Sequence, residues 1–262
     1  MESPIVTLTT DWGYQDFFAG MVKGKLMNYI PNVRIVDICH GISPFDKAKA
    51  AYVVKNGCLG FPPGTIHIID VDTVETEKYA FVVVEYKEQY YICTDNSLPS
   101  EVFGKNYTSV TQLRVNQESN FFTFGAYDLF CKVAALIAAG TPLSELGEQV
   151  NELYPSAGLN YLKRDGYLKV YINYIDVYGN VYLSITYDEF MKIRDGRDFS
   201  ATVNEFELHE ISNSYNDSAD SRKTEILLTV SSTGYLQIAI RQDSAEHLLG
   251  LKLKDSIIIT FK

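Results

Sequence analysis

The spacing of apolar residues changes along the chain, and that change divides it in two. In the first half, short apolar runs alternate with stretches of helical spacing. Ile5–Thr9 predicts a strand ending at Thr10-Asp11, and Phe17–Tyr29 predicts a helix that stops before Pro31. Val33–Ile38 predicts a second strand, and Phe45–Leu59 a helix entered through the turn Ser43-Pro44. Thr65–Val71 predicts a third strand, ending at Asp72. Ala80–Tyr86 and Tyr90–Thr94 predict paired strands around the polar turn Lys87-Glu88-Gln89. Asp128–Ala139 predicts an alanine-rich helix closed by Gly140. Strands alternating with helices imply an α/β domain with a mostly parallel sheet.

The pattern then shifts. Asn151–Gly166 is polar, carries Pro155 and has few periodic apolar residues, so the domain boundary falls there. We place an N-terminal α/β domain at 1–155 and a C-terminal domain at 156–262. Leu168–Val177, Val181–Thr186, Ile226–Val230, Tyr235–Ala239 and Ser256–Phe261 all carry strand patterns, which predicts an all-β, barrel-like second domain. Ser212–Lys223 reads as a mobile loop between them.

Composition narrows the function. A chain of 262 residues, 46% hydrophobic and 21% charged, is an ordinary globular protein of one large or two modest domains. Its formal net charge of −10 opposes nucleic acid as a partner and is compatible with a cationic small molecule. The four cysteines lie in or near apolar runs with no CxxC pair, as expected of free thiols in a reducing compartment. No signal peptide and no bilayer-length apolar run is visible, so the expectation is a soluble, cytoplasmic protein with no membrane partner.

Several common chemistries lack their motifs. There is no P-loop, no GxGxxG after the first strand, no HExxH and no GxSxG, and the four histidines lack metal-ligand spacing. Neither a metal nor a cofactor is expected. What remains is a set of polar motifs at predicted strand ends. Thr9-Thr10-Asp11-Trp12-Gly13-Tyr14-Gln15-Asp16 places two carboxylates five residues apart on a strand-to-helix turn. Asp11 and Asp16 can bind a ribose diol or an ammonium group there, or cap the following helix. In Val36–Asp46, His40 is either catalytic or a hydrogen-bonded structural histidine, and Phe45 either stacks on a base or packs.

With these two motifs the chain resembles the SAM hydroxide adenosyltransferases and their fluorinase and chlorinase relatives. Further matching segments follow in order: Gly64-Thr65-Ile66-His67 with Asp72, Thr94-Asp95-Asn96-Ser97, Thr123–Asp128, Asp176-Val177-Tyr178-Gly179-Asn180, and Ser231–Leu251. The resemblance implies an N-terminal α/β domain and a C-terminal β-barrel. It also implies a homotrimer whose pockets lie between the N-terminal domain of one subunit and the C-terminal domain of its neighbour. The implied reaction is attack of hydroxide on the ribose C5′ of S-adenosyl-L-methionine, a substrate and not a cofactor, giving adenosine and L-methionine.

Carried over by motif, Asp11 would bind the ribose hydroxyls and Asp16 the methionine ammonium. Asp176, Tyr178 and Asn180 would hold both ends of the substrate, Ser232 would lie near the adenine, and Phe45 would contact base or sugar. Asp72 and Lys78 would be catalytic, Lys78 standing where the family has an arginine. The chain departs from the pattern at Gly125, where the family has a histidine, at Tyr127, where it has an arginine, and at Arg241. These departures favour two further readings. One is a non-catalytic protein that binds S-adenosyl-L-methionine or adenosine; the other is a halide-using 5′-halogenase.

Overall fold

A computed structural model describes residues 3–117, 123–158, 160–216 and 226–262. They form two compact units, 1–157 and 158–262.

The first unit opens with β1 (Ile5–Thr10), α1 (Phe18–Tyr29), β2 (Arg34–Cys39), α2 (Lys47–Gly57) and β3 (Ile66–Asp70). It continues with β4 (Phe81–Tyr86), β5 (Gln89–Thr94), α3 (Leu98–Phe103) and β6 (Ser109–Leu113). A π-helix (Ala126–Phe130), α4 (Cys131–Ala138), α5 (Leu143–Leu146) and β7 (Gly147–Gln149) complete it. The strands form one seven-stranded sheet in the order β2-β1-β3-β5-β4-β6-β7.

This sheet is mixed, which corrects the expectation of a mostly parallel one. The β2-β1-β3-β5 half is parallel, and β5-β4-β6-β7 is antiparallel. The cause is local. Lys87 and Glu88 both take left-handed backbone, at φ 50 and 58, and close a tight hairpin that reverses the chain between β4 and β5. The short strands β6 and β7, which the apolar pattern does not predict, then extend the reversed half.

Alternation along the strands makes two cores, one on each face of the sheet. Val6, Leu8, Ile66, Ile68, Phe81 and Val83 face a layer that includes Val22 and Leu26 of α1 and Val133 and Ala134 of α4. Ile69, Val71, Val82, Val84 and Cys93 face Ala50, Ala51 and Val54 of α2 and Val102 of α3. The helix α2 begins at Lys47, two residues later than predicted, because Asp46 is its N-cap and accepts the Lys49 N–H at 3.0 Å.

The second unit contains β8 (Leu162–Arg164), β9 (Tyr167–Ile175), β10 (Val181–Thr186), α6 (Tyr187–Arg194), β11 (Phe199–Val203) and β12 (Phe206–Leu208). After these come β13 (Ile226–Val230), β14 (Tyr235–Ile240), α7 (Ala245–Leu249) and β15 (Ser256–Phe261). The sheet runs β12-β11-β15-β9-β10-β14-β13, every neighbour antiparallel, with β8 beside β9. Ser212, just past β12, donates its N–H to Leu228 O on β13 at 2.8 Å. That contact brings the two edge strands together, so the sheet is nearly closed, as a barrel is. Of the predicted loop, Ser212 lies in this contact, and residues 217–223 fall outside the described residues.

All four cysteines are free thiols, and Cys58, Cys93 and Cys131 are buried. Among the described residues, no helix is long and apolar enough to cross a membrane.

Candidate active site

The parallel half of the first sheet gathers the polar motifs at one edge. In the β1 ladder Thr10 lies opposite Asp70 of β3, and Thr9 opposite Cys39 of β2. The residues that follow these strands, Asp11, His40 and Asp72, therefore leave the sheet at the same edge. In such sheets that edge, beyond the carboxyl ends of the strands, is where ligands bind.

Asp11 Oδ2 accepts the Phe45 N–H at 2.8 Å. Phe45 takes left-handed backbone at φ 66, uncommon for a bulky residue, and its side chain is 70% exposed. Burial raises the Asp11 carboxyl above its ordinary value and the nearby Asp72 charge adds to this, while backbone N–H groups, Phe45 foremost, oppose it.

Asp72 is also left-handed, at φ 52. Asn96 holds this turn by donating Nδ2–H to Asp72 O at 3.0 Å. The cation at Asp72 is Lys47, with Nζ 3.2 Å from Oδ2. Lys47 comes from the first turn of α2, where the helix dipole disfavours a positive charge, and Asp72 compensates it. Its ammonium also lies 5.7 Å from the Tyr79 ring.

Lys78 is placed elsewhere. Its ammonium lies 5.0 Å from the Tyr79 ring and 4.7 Å from the Tyr154 ring, and it lines an open polar groove with Glu75, Glu77, Asp95 and Glu152. Interaction with Tyr154, then with Tyr79, raises its pKa and keeps it protonated. The tertiary structure thus joins Asp72 to Lys47 and leaves Lys78 among tyrosines.

Asp70 ends β3 on the same face as Ile66 and Ile68, pointing toward the π-helix. It is 5% exposed and accepts the Ala126 N–H on Oδ2 at 3.2 Å. The Trp12 indole and the Thr73 hydroxyl lie against it, although Thr73 Oγ1 completes no hydrogen bond. Burial pushes the Asp70 carboxyl up to about 7; the Asp11 charge adds to this, and Thr73, Ala126 and Trp12 oppose it.

The segment beside Asp70 is irregular. Phe124 N–H donates to Asp128 Oδ2 at 3.2 Å, and Gly125 precedes the π-helix. Short π-helical turns of this kind are frequent at functional sites. The Phe124 ring lies edge-on to Trp12, centroids 5.1 Å apart, and parallel to Tyr127 at 6.2 Å. Trp12, which lies against Asp70, thus joins Phe124 and Tyr127 in one aromatic cluster.

His40 is buried. Its Nδ1 and Thr10 Oγ1 hydrogen-bond at 2.6 Å, its ring stacks on Trp12, and Nε2 stands 3.2 Å from Asp37 Oδ1, off the line of a hydrogen bond. It anchors the Thr10-Asp11-Trp12 turn from below. Asp16 is exposed and does not cap α1, whose N-cap is Phe17 with no side-chain hydrogen bond.

In the second unit, Asp176 organises the turn between β9 and β10. Its Oδ1 accepts the Tyr178 and Asn180 N–H groups, each at 2.9 Å, and Oδ2 accepts Asn180 Nδ2–H at 2.9 Å and Tyr182 O–H at 3.1 Å. These bonds leave Tyr178 76% exposed and Asn180 buried. Gly179, at φ 78, packs so closely on Ser244 that a Cβ would collide with its hydroxyl. Ser232 is exposed in the turn before β14, whose geometry Ser231 Oγ holds by accepting the Tyr235 N–H at 3.1 Å.

Two residues of this site, Asp70 and Lys47, lie outside the motifs that the sequence singles out. Asp70 carried a visible signal, a carboxylate at an inward position of the apolar run Ile66-His67-Ile68-Ile69. Lys47 carried only one, a cation in a helix's first turn. Among the described residues no group of three His, Cys, Asp or Glu side chains is arranged to hold a metal ion.

The chain is similar to known proteins over nearly its whole length. Residues 6–147 match the SAM hydroxide adenosyltransferase N-terminal domain, and residues 170–258 the corresponding C-terminal domain. The (R)-S-adenosyl-L-methionine hydrolase of Methanocaldococcus jannaschii is 27% identical over 98% of this chain and 96% of its own length. That of Salinispora tropica is 25% identical over 98% of each chain. A fluorinase of Actinopolyspora mzabensis is 24% identical over 98% of this chain and 97% of its own. The crystal structure of an uncharacterized conserved protein from Thermotoga maritima superposes with a TM-score of 0.86 at 28% identity, covering 98% of this chain and 99% of that one.

Proposed function

The chain belongs to the SAM hydroxide adenosyltransferase family, and we propose on that premise that it is an S-adenosyl-L-methionine hydrolase forming adenosine and L-methionine. The observation that carries this reading is the full-length match to hydrolases together with the carboxylates Asp11, Asp70 and Asp72 at one sheet edge.

The reaction is an in-line displacement. A water oxygen attacks the ribose C5′, the C5′–S bond breaks, and its electron pair stays on sulfur as a neutral thioether. A sulfonium needs no proton to leave, so the protein's task is to hold the ribose, place the water and accept its proton. Asp11, pre-set by its bond to the Phe45 N–H, binds the ribose hydroxyls. Phe45, exposed and rigidly turned, offers its ring to base or sugar. Asp16 meets the methionine ammonium. Asp72, charge-paired with Lys47, borders the reacting centre, and Lys78 adds positive charge at its margin. No metal or cofactor takes part.

The protein acts as a cytoplasmic homotrimer. Asp176, Tyr178, Asn180 and Ser232 of a neighbouring subunit close the pocket. The exposure of Tyr178 on a turn clamped by Asp176 supports a role in contact with something outside its own unit.

Gly125, which offers no side chain at the position of the family's histidine, favours a second reading, a binding protein without turnover. Incubation of S-adenosyl-L-methionine with the protein in H₂¹⁸O, with and without chloride, separates the readings by mass spectrometry. Adenosine carrying ¹⁸O at the 5′ position is expected. Binding with unchanged substrate would establish the binding protein, and chloride-dependent 5′-chloroadenosine the halogenase.

A further inference from the structure

If water attacks C5′, something must take its proton, and most groups at this sheet edge are unsuited to do so. Lys78 is held protonated. Asp72 is engaged by Lys47. His40 is buried beneath Trp12, with Nδ1 bonded to Thr10 and Nε2 facing Asp37. Asp11 already accepts the Phe45 N–H and is needed for the ribose. Gly125 has no side chain.

Asp70 remains. It lies opposite Thr10, one residue from Asp11, at the carboxyl end of a central strand. It also touches the two other segments that meet here, through the Ala126 N–H and the Trp12 indole. An acidic side chain buried on the apolar face of a β-strand costs stability, and among the described residues none of the groups that act on the Asp70 carboxyl is a cation.

Resting on the hydrolase reading above, we propose that Asp70 is the general base of the reaction. Its carboxylate takes a proton from water as the C5′–O bond forms and the C5′–S bond breaks, and the resulting carboxylic acid later returns that proton to solvent. The charged group facing it from the turn after β1 is Asp11; from its own turn, Asp72 bears on Asp11 and is neutralised by Lys47. A carboxyl whose ionisation is delayed to near neutrality is suited to accept a proton at working pH.

The test is the pH dependence of kcat for adenosine formation between pH 5 and 8.5, measured on the wild type, Asp70→Asn and Asp70→Glu, with calorimetric affinity for S-adenosyl-L-methionine. The expected result is a wild-type kcat that rises with pH through a midpoint near 7. D70N should lower kcat by roughly 10²- to 10⁴-fold, abolish that limb and leave affinity nearly unchanged, and D70E should recover part of the loss. An active wild type whose D70N variant keeps its kcat or its pH limb would overturn the proposal. Should D70N not fold, Asp11→Asn supplies the check: with the facing charge gone, the kcat limb at saturating substrate should move to lower pH, and an unmoved limb would refute the assignment. Absence of adenosine from the wild type at every pH would instead overturn the hydrolase reading itself.

Discussion

The Phe45 N–H donates to Asp11 Oδ2 at 2.8 Å, and this bond holds a phenylalanine in left-handed backbone. For a residue with a Cβ that conformation costs roughly 1–2 kcal/mol. Local strain of this kind collects where ligands are held. Phe45→Gly removes the strain and little buried surface. It should raise the melting temperature by about 2–4 °C while raising KM for S-adenosyl-L-methionine at least several-fold. Thermal melts and steady-state kinetics check both halves, and a variant no more stable and with unchanged KM would contradict the assignment.

Lys47 and Lys78 compete for the role of the site's cation. Because Lys47 contacts Asp72 and Lys78 contacts Tyr79 and Tyr154, Lys47→Met should lower kcat/KM by about tenfold or more, and Lys78→Met by less. Both pairs are partly exposed, so the melting temperature should move little in either case. The reverse order of activity would return the role to Lys78.

Asp176 and Gly179 shape the exposed Tyr178. Asp176→Ala removes the acceptor of four hydrogen bonds and should cost roughly 1–3 kcal/mol in urea unfolding. Gly179→Ala meets both the Ser244 hydroxyl and a left-handed backbone, so it should be comparably destabilising. If the turn serves the substrate, both variants should also lose affinity for S-adenosyl-L-methionine.

Asp70 and His67 give stability a pH dependence of opposite sign. The Asp70 carboxyl is raised from 3.8 to about 7, so between those values the folded chain keeps a proton the unfolded chain has released. Its stability cost therefore grows as pH rises through that window and is complete above 7. His67 is bonded to Thr7 and Gln89 and stacked on Tyr91, and burial lowers it from 6.5 to about 4. Its cost grows as pH falls through that interval. Asp70→Asn should raise unfolding stability at pH 8 by up to a few kcal/mol, and by much less at pH 4.5, in urea titrations at both pH values. An equal gain at both would mean that Asp70 ionises normally.

Much of this protein is legible along the chain. The strand and helix periods place β1, α1, β2, β3 and the β10, β13 and β15 strands close to their observed limits, because burial of one face imposes the period directly. The ordered motifs identify the family and point to Asp11, Asp72, Asp176 and Asn180, because each lies within a few residues of the turn that uses it. Helix α6 was equally legible in principle: Thr186 and Glu189 form a capping box three residues apart. The short strands β6 and β7 were not, since three to five residues carry too little period.

The tertiary structure alone decided the rest. Asp70 and Ala126 are 56 residues apart, and no local pattern says that they touch. Nor does any spacing say that Lys47, and not Lys78, faces Asp72. Those pairings depend on which strands become neighbours and which way each side chain then points. Period and motif are set by a few adjacent residues, whereas the charge around a buried carboxylate is set by whatever the whole sheet brings to it.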